Sequence, residues 1–499
     1  MTLGQLLENV PVSKMFQTTF GSMAVTHDVE IAGIHYDSSK IQQGDMFVAL
    51  RGVKTDGHLF VTDAISRGAK AVVMDDDDAV PDPYFMHTGV VKIVVSNSRR
   101  ALAKLSAAWY GNPAQSLRLI GVTGTNGKTT TAYVIRHLLE RSTLRARVGL
   151  IGTIETIIGE DHLPATHTTP ESLELHGVLS KMKEAGCTHV VMEVSSHALH
   201  QHRVFGLDFE AAVFTSLTQD HLDYHGTMDE YLNSKKMLFD TLSVNAVAAI
   251  NVDDPSALKM VRDSAARCVT YGFAPSAEIR AENTTLSIAQ TTYTLCAPSG
   301  FCNVHTPLVG KFNVSNALGA AAVCLSLGTS LEAIREGLAT FTAAPGRFDR
   351  VDSSKGWTAI IDYAHTPDAL EKSLGALRDV MPESGGRLIT VFGAGGDRDK
   401  SKRPLMGRIV EEKSDVTIVT SDNPRTEDPA AIIQDICAGL KHPEKAICEP
   451  DRGEAIKKAC TMAASGDVVF IAGKGHENYQ AIGSEKKHFS DKETVQKYL

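Results

Sequence analysis

The stretch from Leu117 to Thr130 constrains this chain more than any other part of it. Leu117 to Val122 is a short apolar run that reads as a buried strand, and residues 129–140 read as a helix. Between them lies Thr123-Gly124-Thr125-Asn126-Gly127-Lys128-Thr129-Thr130. A strand, a glycine loop and a helix in that order aim backbone N–H groups and a helix N-terminus at one anion. Lys128 would neutralise terminal phosphates, and the Thr129 hydroxyl would hold Mg²⁺. A glycine turn without a ligand is the alternative, and the Gly-Lys-Thr ending at a strand–helix junction argues against it. The ligand class is therefore a nucleoside triphosphate. Val122 stands where the common phosphate-loop pattern has its first glycine, so the loop belongs to a variant type.

At 499 residues the chain exceeds what one core can organise, and about three domains are expected. Residues 1–100 hold the apolar runs Met46 to Leu50, Ala71 to Met74 and Val90 to Val95, and read as a small α/β domain. The acidic run Asp75 to Asp78 reads as a solvated loop after a strand. Residues 101–344 form a β-α series, with further strands at His189 to Val194, Ala211 to Leu217 and Ala246 to Val252. Pro345-Gly346 interrupts the pattern, and residues 345–499 begin a third series. Its strands are expected at Thr358 to Asp362, Leu388 to Phe392, Val416 to Thr420 and Val468 to Ala472. Thr366-Pro367 opens a helix there, because Thr caps and Pro tolerates the first turn. The fold class is α/β with mostly parallel sheets, whose ligands sit beyond the strands' carboxyl ends.

Composition excludes several classes. A net charge of −9 argues against nucleic-acid binding, which relies on a basic face. The eight cysteines form no C-x-x-C pair, so neither a zinc knuckle nor a disulfide framework is indicated. The N-terminus lacks signal-peptide features, and no apolar run approaches the roughly 20 residues that span a bilayer. A cytoplasmic monomer without membrane insertion is expected.

The phosphate loop closely resembles that of the Mur ligases and their relative folylpolyglutamate synthase. Further matches follow in order: Met192 to Leu199, Thr218 to Gly226, Gly310 to Ala317 and Asp362 to Leu370. The resemblance implies a central phosphate-loop domain between a small UDP-binding domain and a Rossmann-like C-terminal domain. It implies ATP as nucleotide, held by Gly124, Thr125, Asn126, Gly127, Lys128, Thr129 and Thr130, with Asn313 and Asn316 at adenine and Arg347 and Asp362 at ribose and phosphate. Glu193 ends a buried strand and His221 follows the next one. A structural role is the alternative for a lone histidine, but the family uses this pair to bind two Mg²⁺. Lys235 resembles the family's carbamylated lysine, an anion that would help hold the second ion. Its spacing from His221 and Tyr231 favours it over Lys236. Lys128, Glu193, His221 and Lys235 are thus the expected catalytic set, and Thr129, Glu193, His221 and Lys235 the metal set.

Other stretches choose within the family. Asp37 to Leu50, with Asp56-Gly57-His58, resembles the UDP-binding domain of tripeptide synthetases; Ser39 replaces a usual arginine, which leaves Ser38 as the uridine contact. Thr168, Thr169, Ser195, Gln201 and Arg203 fall at positions that contact UDP-MurNAc-dipeptide. Arg398, Asp422-Asn423-Pro424-Arg425, Gly473 and Glu477 follow separate strands and resemble the signature that selects meso-diaminopimelate. A guanidinium fork suits its second carboxylate. The implied reaction is carboxylate activation by ATP to an acyl phosphate, then attack by the diamino-acid amine, with domain closure aligning the two. Folylpolyglutamate synthase and a non-catalytic nucleotide switch are the rivals. The UDP-type first segment and the Asp-Asn-Pro-Arg loop disfavour the first, and the carbamylation-type lysine at 235 and the amino-acid loop disfavour the second.

Overall fold

The computed structural model describes residues 1–16, 27–52, 55–142, 146–381 and 385–499. They divide into two compact units: residues 1–128 with 139–270, and residues 129–138 with 271–499.

In the first unit, a five-stranded sheet has the order Val12–Phe16, Val91–Val95, Ala71–Met74, Met46–Val48, Ile34–His35. The first strand is antiparallel to its neighbour and the rest are parallel. Helix Ser98–Trp109, capped by Asn97 Oδ1, buries Ala101, Leu102 and Leu105 with these strands in one core. Each of the two leucines contributes about 1.5–3 kcal/mol. The acidic run is a loop, as expected, but it is not merely solvated. Asp75 accepts from Ser98 N, and Asp77 and Asp82 take up the buried Lys92 ammonium. A lysine that must be buried needs such anions.

The second sheet of this unit places Val247–Asn251, Phe209–Phe214, Arg118–Thr123, His189–Glu193 and Val148–Ile151 side by side and parallel. An antiparallel hairpin, Glu155–Ile158 with Asp161–Pro164, extends its edge. The register pairs Glu193 with Val122 and Phe214 with Thr123, so three strands end level at the glycine loop. Phe209–Phe214 stops earlier than the run to Leu217 suggests. Residues 215–218 turn to embrace the loop instead: Thr125 N donates to Ser216 O, and Thr215 Oγ1 to Asn126 O. Gly121 lets helix Met228–Asp240 pack closely, since a Cβ there would meet Leu238 Cδ2 at 3.3 Å.

The second unit contains an antiparallel meander, Ile279–Leu286, Thr291–Ala297 and Gly300–Thr306. Helices Lys311–Ser326 and Leu331–Thr340 follow. Its main sheet has the order Asp349–Asp352, Thr358–Asp362, Val468–Ala472, Leu388–Phe392, Val416–Thr420, Ile447–Glu449, parallel except for the first strand. The four strands expected from sequence in this segment have the observed bounds. Continuous apolar runs buried on both faces are legible without knowledge of the fold. Thr366 Oγ1 accepts from Ala369 N and Pro367 opens helix Pro367–Val380, as expected. A final hairpin, Tyr479–Ile482 with Glu485–His488, lies against neither flank of that order in the ladder. No helix among the described residues is long and apolar enough to cross a membrane.

Candidate active site

Gly127 adopts φ 85° and caps helix Lys128–Arg141, so the loop turns directly into the helix N-terminus. Thr129 and Thr130 are buried in its first turn. Lys128 Nζ donates to Gly124 O (3.0 Å) and Thr125 O (2.9 Å). Lys235, buried on helix Met228–Asp240, donates to the same Gly124 carbonyl at 2.8 Å. Two lysine nitrogens therefore converge on one oxygen. Burial and then the Lys128 charge push Lys235 well below the usual lysine range. Its neighbour Lys236 instead pairs with Asp240 and Asp263 at the surface. The preference for Lys235 over Lys236 thus has a physical basis in burial.

Gly124 is indispensable for a second reason: a Cβ there would lie 1.9 Å from Thr215 Oγ1. Gly124→Ala is therefore expected to raise the dissociation constant for ADP by about tenfold or more, read by titration calorimetry, as the loop must shift away from its anion-binding shape.

Thr125 ties this loop to the next elements. Its hydroxyl donates to Thr218 O, and Tyr231 OH lies 3.2 Å from Thr125 Oγ1. Lys235 Nζ stands 4.4 Å from the Tyr231 ring centroid. His221 sits at φ 52° before the short helix Leu222–His225, and its ring centroid is 4.8 Å from that of His197. Burial lowers both imidazoles, His197 to about 4, so both are neutral at neutral pH. A neutral imidazole is the form that binds a metal. Glu193 is fully buried, accepting from Thr153 N (2.8 Å) and Thr153 Oγ1 (3.0 Å). A buried carboxylate and a neutral imidazole are oxygen and nitrogen donors whose chemistry fits Mg²⁺. Among the described residues no group of three or more His, Cys, Asp or Glu is preassembled around a metal.

The residues expected at the dipeptide form one network in this unit. Thr169 Oγ1 donates to Glu193 O (2.8 Å) and accepts from Ser195 N (3.1 Å). Arg203 donates to Thr169 O and Gln201 Oε1, both at 2.8 Å, and pairs with Glu171. Gln201 Nε2 reaches Tyr224 OH, and Thr168 Oγ1 lies 3.1 Å from Thr153 Oγ1. Glu171, the cap residue of helix Ser172–Glu184, also pairs with Arg99. Ser38 opens a short 3₁₀ turn capped by Asp37. Ser39 donates its hydroxyl to Asp37 (2.7 Å), so the residue that replaces arginine serves the turn.

In the second unit, Asn313 Nδ2 donates to Val309 O, and Asn316 Nδ2 to Asn313 Oδ1. Asp362, buried, accepts from Phe348 N, Ala364 N and Ser373 Oγ. Burial raises its carboxyl above the usual range, against the pull of Arg347. The Arg347 guanidinium lies 4.7 Å from the Tyr363 ring centroid, and its Nε is buried without a hydrogen-bond partner. Asn313 and Asp362 are thus fixed by backbone contacts, Asn316 by Asn313 and Arg347 by the Tyr363 ring.

The loops expected at the amino acid converge in the same unit. Asn423 Nδ2 donates to Glu477 Oε2 (2.8 Å), and Gln480 Nε2 to Asp422 O (2.7 Å). Pro424 is buried, and Arg425 Nη1 donates to Gly396 O (2.7 Å). Gly473 must lack a side chain because a Cβ would lie 2.5 Å from Asp422 Oδ2. Arg398 is exposed on the adjacent loop. Two residues escaped the sequence reading. Lys474, fully buried, donates to Asn423 Oδ1 (3.2 Å) and Glu477 Oε2 (2.9 Å), holding the two loops together. Arg403, also buried, ties Glu427 and Asp435 to Gly395 O. Ion pairing with Arg403 and Lys400 holds Glu427 down to about 2, so it stays charged. The Gly-Lys-Gly-His-Glu motif carried the signal for Lys474; nothing in sequence marked Arg403.

Comparisons with known proteins agree with this order of elements. Three family descriptions match in succession: "Mur ligase family, catalytic domain" at residues 30–110, "Mur ligase middle domain" at 122–324 and "Mur ligase, glutamate ligase domain" at 346–475. The UDP-N-acetylmuramoyl-L-alanyl-D-glutamate--2,6-diaminopimelate ligase of Geobacter metallireducens is 44% identical over 497 residues, covering 95% of this chain and 94% of that protein. The ligase of the same name from Geobacillus kaustophilus is 46% identical over 470 residues, covering 93% and 94%. A solved structure of a ligase with this name superposes with TM-score 0.70 at 33% identity, covering 100% of this chain and 99% of the other. With three family segments in chain order and such identity along nearly its whole length, the chain belongs to the Mur ligase family.

Proposed function

We propose that this chain is an ATP-dependent ligase that adds meso-2,6-diaminopimelate to UDP-N-acetylmuramoyl-L-alanyl-D-glutamate, a step in making peptidoglycan precursors. The observation that carries it is the convergence of Lys128 and the buried Lys235 on Gly124 O beside Glu193's strand end. The relatives above share the activity in their names.

On this reading residues 1–100, with Ser38, hold the UDP moiety, residues 101–344 the ATP and residues 345–499 the amino acid. The substrates are soluble cytoplasmic metabolites, and the reaction needs no second copy of the chain. Thr168, Thr169, Ser195, Gln201 and Arg203 orient the peptide end. The side-chain carboxylate of its D-glutamate attacks the γ-phosphorus of ATP, forming an acyl phosphate and releasing ADP. The diamino-acid amine then attacks the acyl carbon; the amide forms, phosphate leaves and the amine loses a proton. Lys128 offsets charge on the transferred group. Thr129, Glu193, His221 and carbamylated Lys235 are the residues that would hold Mg²⁺, which supplies positive charge to the phosphate oxygens. Asp422, Asn423, Arg398, Arg425 and Glu477 grip the amino acid, Arg425 through its distal carboxylate. Gly473 leaves room for it.

Phosphate release should strictly require ATP, the UDP-dipeptide and diaminopimelate together. Release without either acceptor would show a nucleotide switch or simple ATPase rather than a ligase. Release with a pteroylglutamate in place of the UDP-dipeptide would show the folylpolyglutamate-type reaction.

A further inference from the structure

The two loops that hold the incoming amino acid on the reading above grow from strands that are not neighbours. Val416–Thr420 and Val468–Ala472 are separated in the sheet by Leu388–Phe392, so no ladder hydrogen bond couples their ends. Arg452, the first residue of helix Arg452–Met462, bridges them instead. Its Nη1 donates to Ser421 O (3.3 Å) and its Nη2 to Ala472 O (3.0 Å). Those carbonyls immediately precede Asp422 and Gly473. The same guanidinium grips Asp491 with both prongs, Nε to Oδ1 at 2.7 Å and Nη2 to Oδ2 at 2.8 Å. Both side chains are 0% exposed. Asp491 is itself fixed as the first residue of the last helix, Asp491–Gln496, whose Ser490 cap accepts from Glu493 N.

An arginine that spends its fork on a carboxylate and its remaining hydrogens on two carbonyls has one geometry only. A Cβ on Gly473 would lie 2.5 Å from Asp422 Oδ2 and 4.0 Å from Arg452 Nη2, so the loops are pressed together at this strut. We infer that Arg452 and Asp491 are positioning residues for the diamino acid: their buried pair sets the gap between the Asp422–Arg425 and Gly473–Glu477 walls. This rests on the reading of those loops as the amino-acid cradle. Neither residue touches substrate. A lysine at 452 would keep the charge but could not reach a bidentate carboxylate and two carbonyls from one nitrogen.

Steady-state kinetics of the full chain, each of the three substrates varied in turn, tests this with Arg452→Lys, Asp491→Asn and, as reference, Arg425→Ala. Arg452→Lys and Asp491→Asn are each expected to raise the KM for diaminopimelate by about tenfold or more, because sub-ångström displacement of gripping groups has that scale of effect. The KM values for ATP and the UDP-dipeptide should stay within about twofold on the same principle. A loss of folded protein or of kcat, with all three KM values unmoved or moved alike, would show a merely structural pair and overturn the inference. Should Arg452→Lys fail to fold, Asp491→Asn, nearly isosteric, decides by the same split. If Arg425→Ala raises the diaminopimelate KM while both strut variants leave it unchanged, the strut alone is refuted. If Arg425→Ala also leaves it unchanged, the cradle reading falls and the inference with it.

Discussion

Lys235→Ala is expected to lower kcat by about a thousandfold, the upper end of what one preorganised charged group at a transferring phosphoryl contributes. The side chain is buried, donates to Gly124 O beside Lys128, and is pushed by burial well below the usual lysine range. Burial thus favours the free amine over the ammonium, and the free amine is the form that adds CO₂: a bond forms from nitrogen to carbon, one proton leaves and a carbamate anion results. That anion would balance Lys128 and add an oxygen donor for Mg²⁺. Alanine leaves a cavity of the right size and charge preference for a small carboxylate, so formate or acetate at constant ionic strength should restore part of the lost rate. A variant that keeps more than about a tenth of kcat would exclude a charged role at this position. The thermal midpoint, measured alongside, separates chemistry from folding. Because the folded value is depressed, the unfolded chain binds the extra proton between that value and the ordinary lysine value. Charging of Lys235 thus lowers stability in that window, and the alanine variant removes that cost.

Arg425→Ala is expected to raise the KM for diaminopimelate, and to lessen its advantage over lysine, by a few hundred-fold or more. An unpaired buried charge costs about 3–5 kcal/mol, which corresponds to that factor. Arg425 is held at φ 52°, a region that non-glycine residues seldom occupy. The last hairpin enforces it: Arg425 N donates to Ala481 O (3.0 Å), and Arg425 O accepts from Gly483 N (2.7 Å). Strain of this kind persists where the surroundings over-determine it, and ligand clamps are common places for it. The guanidinium keeps one contact, to Gly396 O, leaving further donors for a carboxylate. Competition between diaminopimelate and lysine in the same assay reads the outcome directly. An unchanged preference would mean that Arg425 only anchors the loop to Gly396 O.

Local chemistry made much of this protein legible as a string. Buried parallel strands announce themselves as apolar runs, and Thr-Pro and Gly-Lys-Thr mark helix starts, because each depends on neighbours in sequence. The meander at residues 279–306 was not legible. Its strands alternate apolar Tyr293 and Leu295 with threonines and lie among polar residues, so no continuous run marks them.

Motifs named Glu193, His221, Lys235 and Arg425 from sequence, but their condition in the fold depended on distant chain. Lys235 is desolvated because the fold buries it against the carbonyl of Gly124, 111 positions away. Asn423 and Glu477, 54 positions apart, bond to each other directly and through the buried Lys474. Arg452 and Asp491, scattered residues with no motif of their own, became a strut solely through the strand order that places Leu388–Phe392 between their two anchor points. Sequence by itself determined which residue types stand where a triphosphate, a metal and a diamino acid could be held, since those requirements are local in chemistry. Only the tertiary structure decided which of those groups are buried, neutral or braced, because desolvation and long-range hydrogen bonds do not exist until the chain has folded.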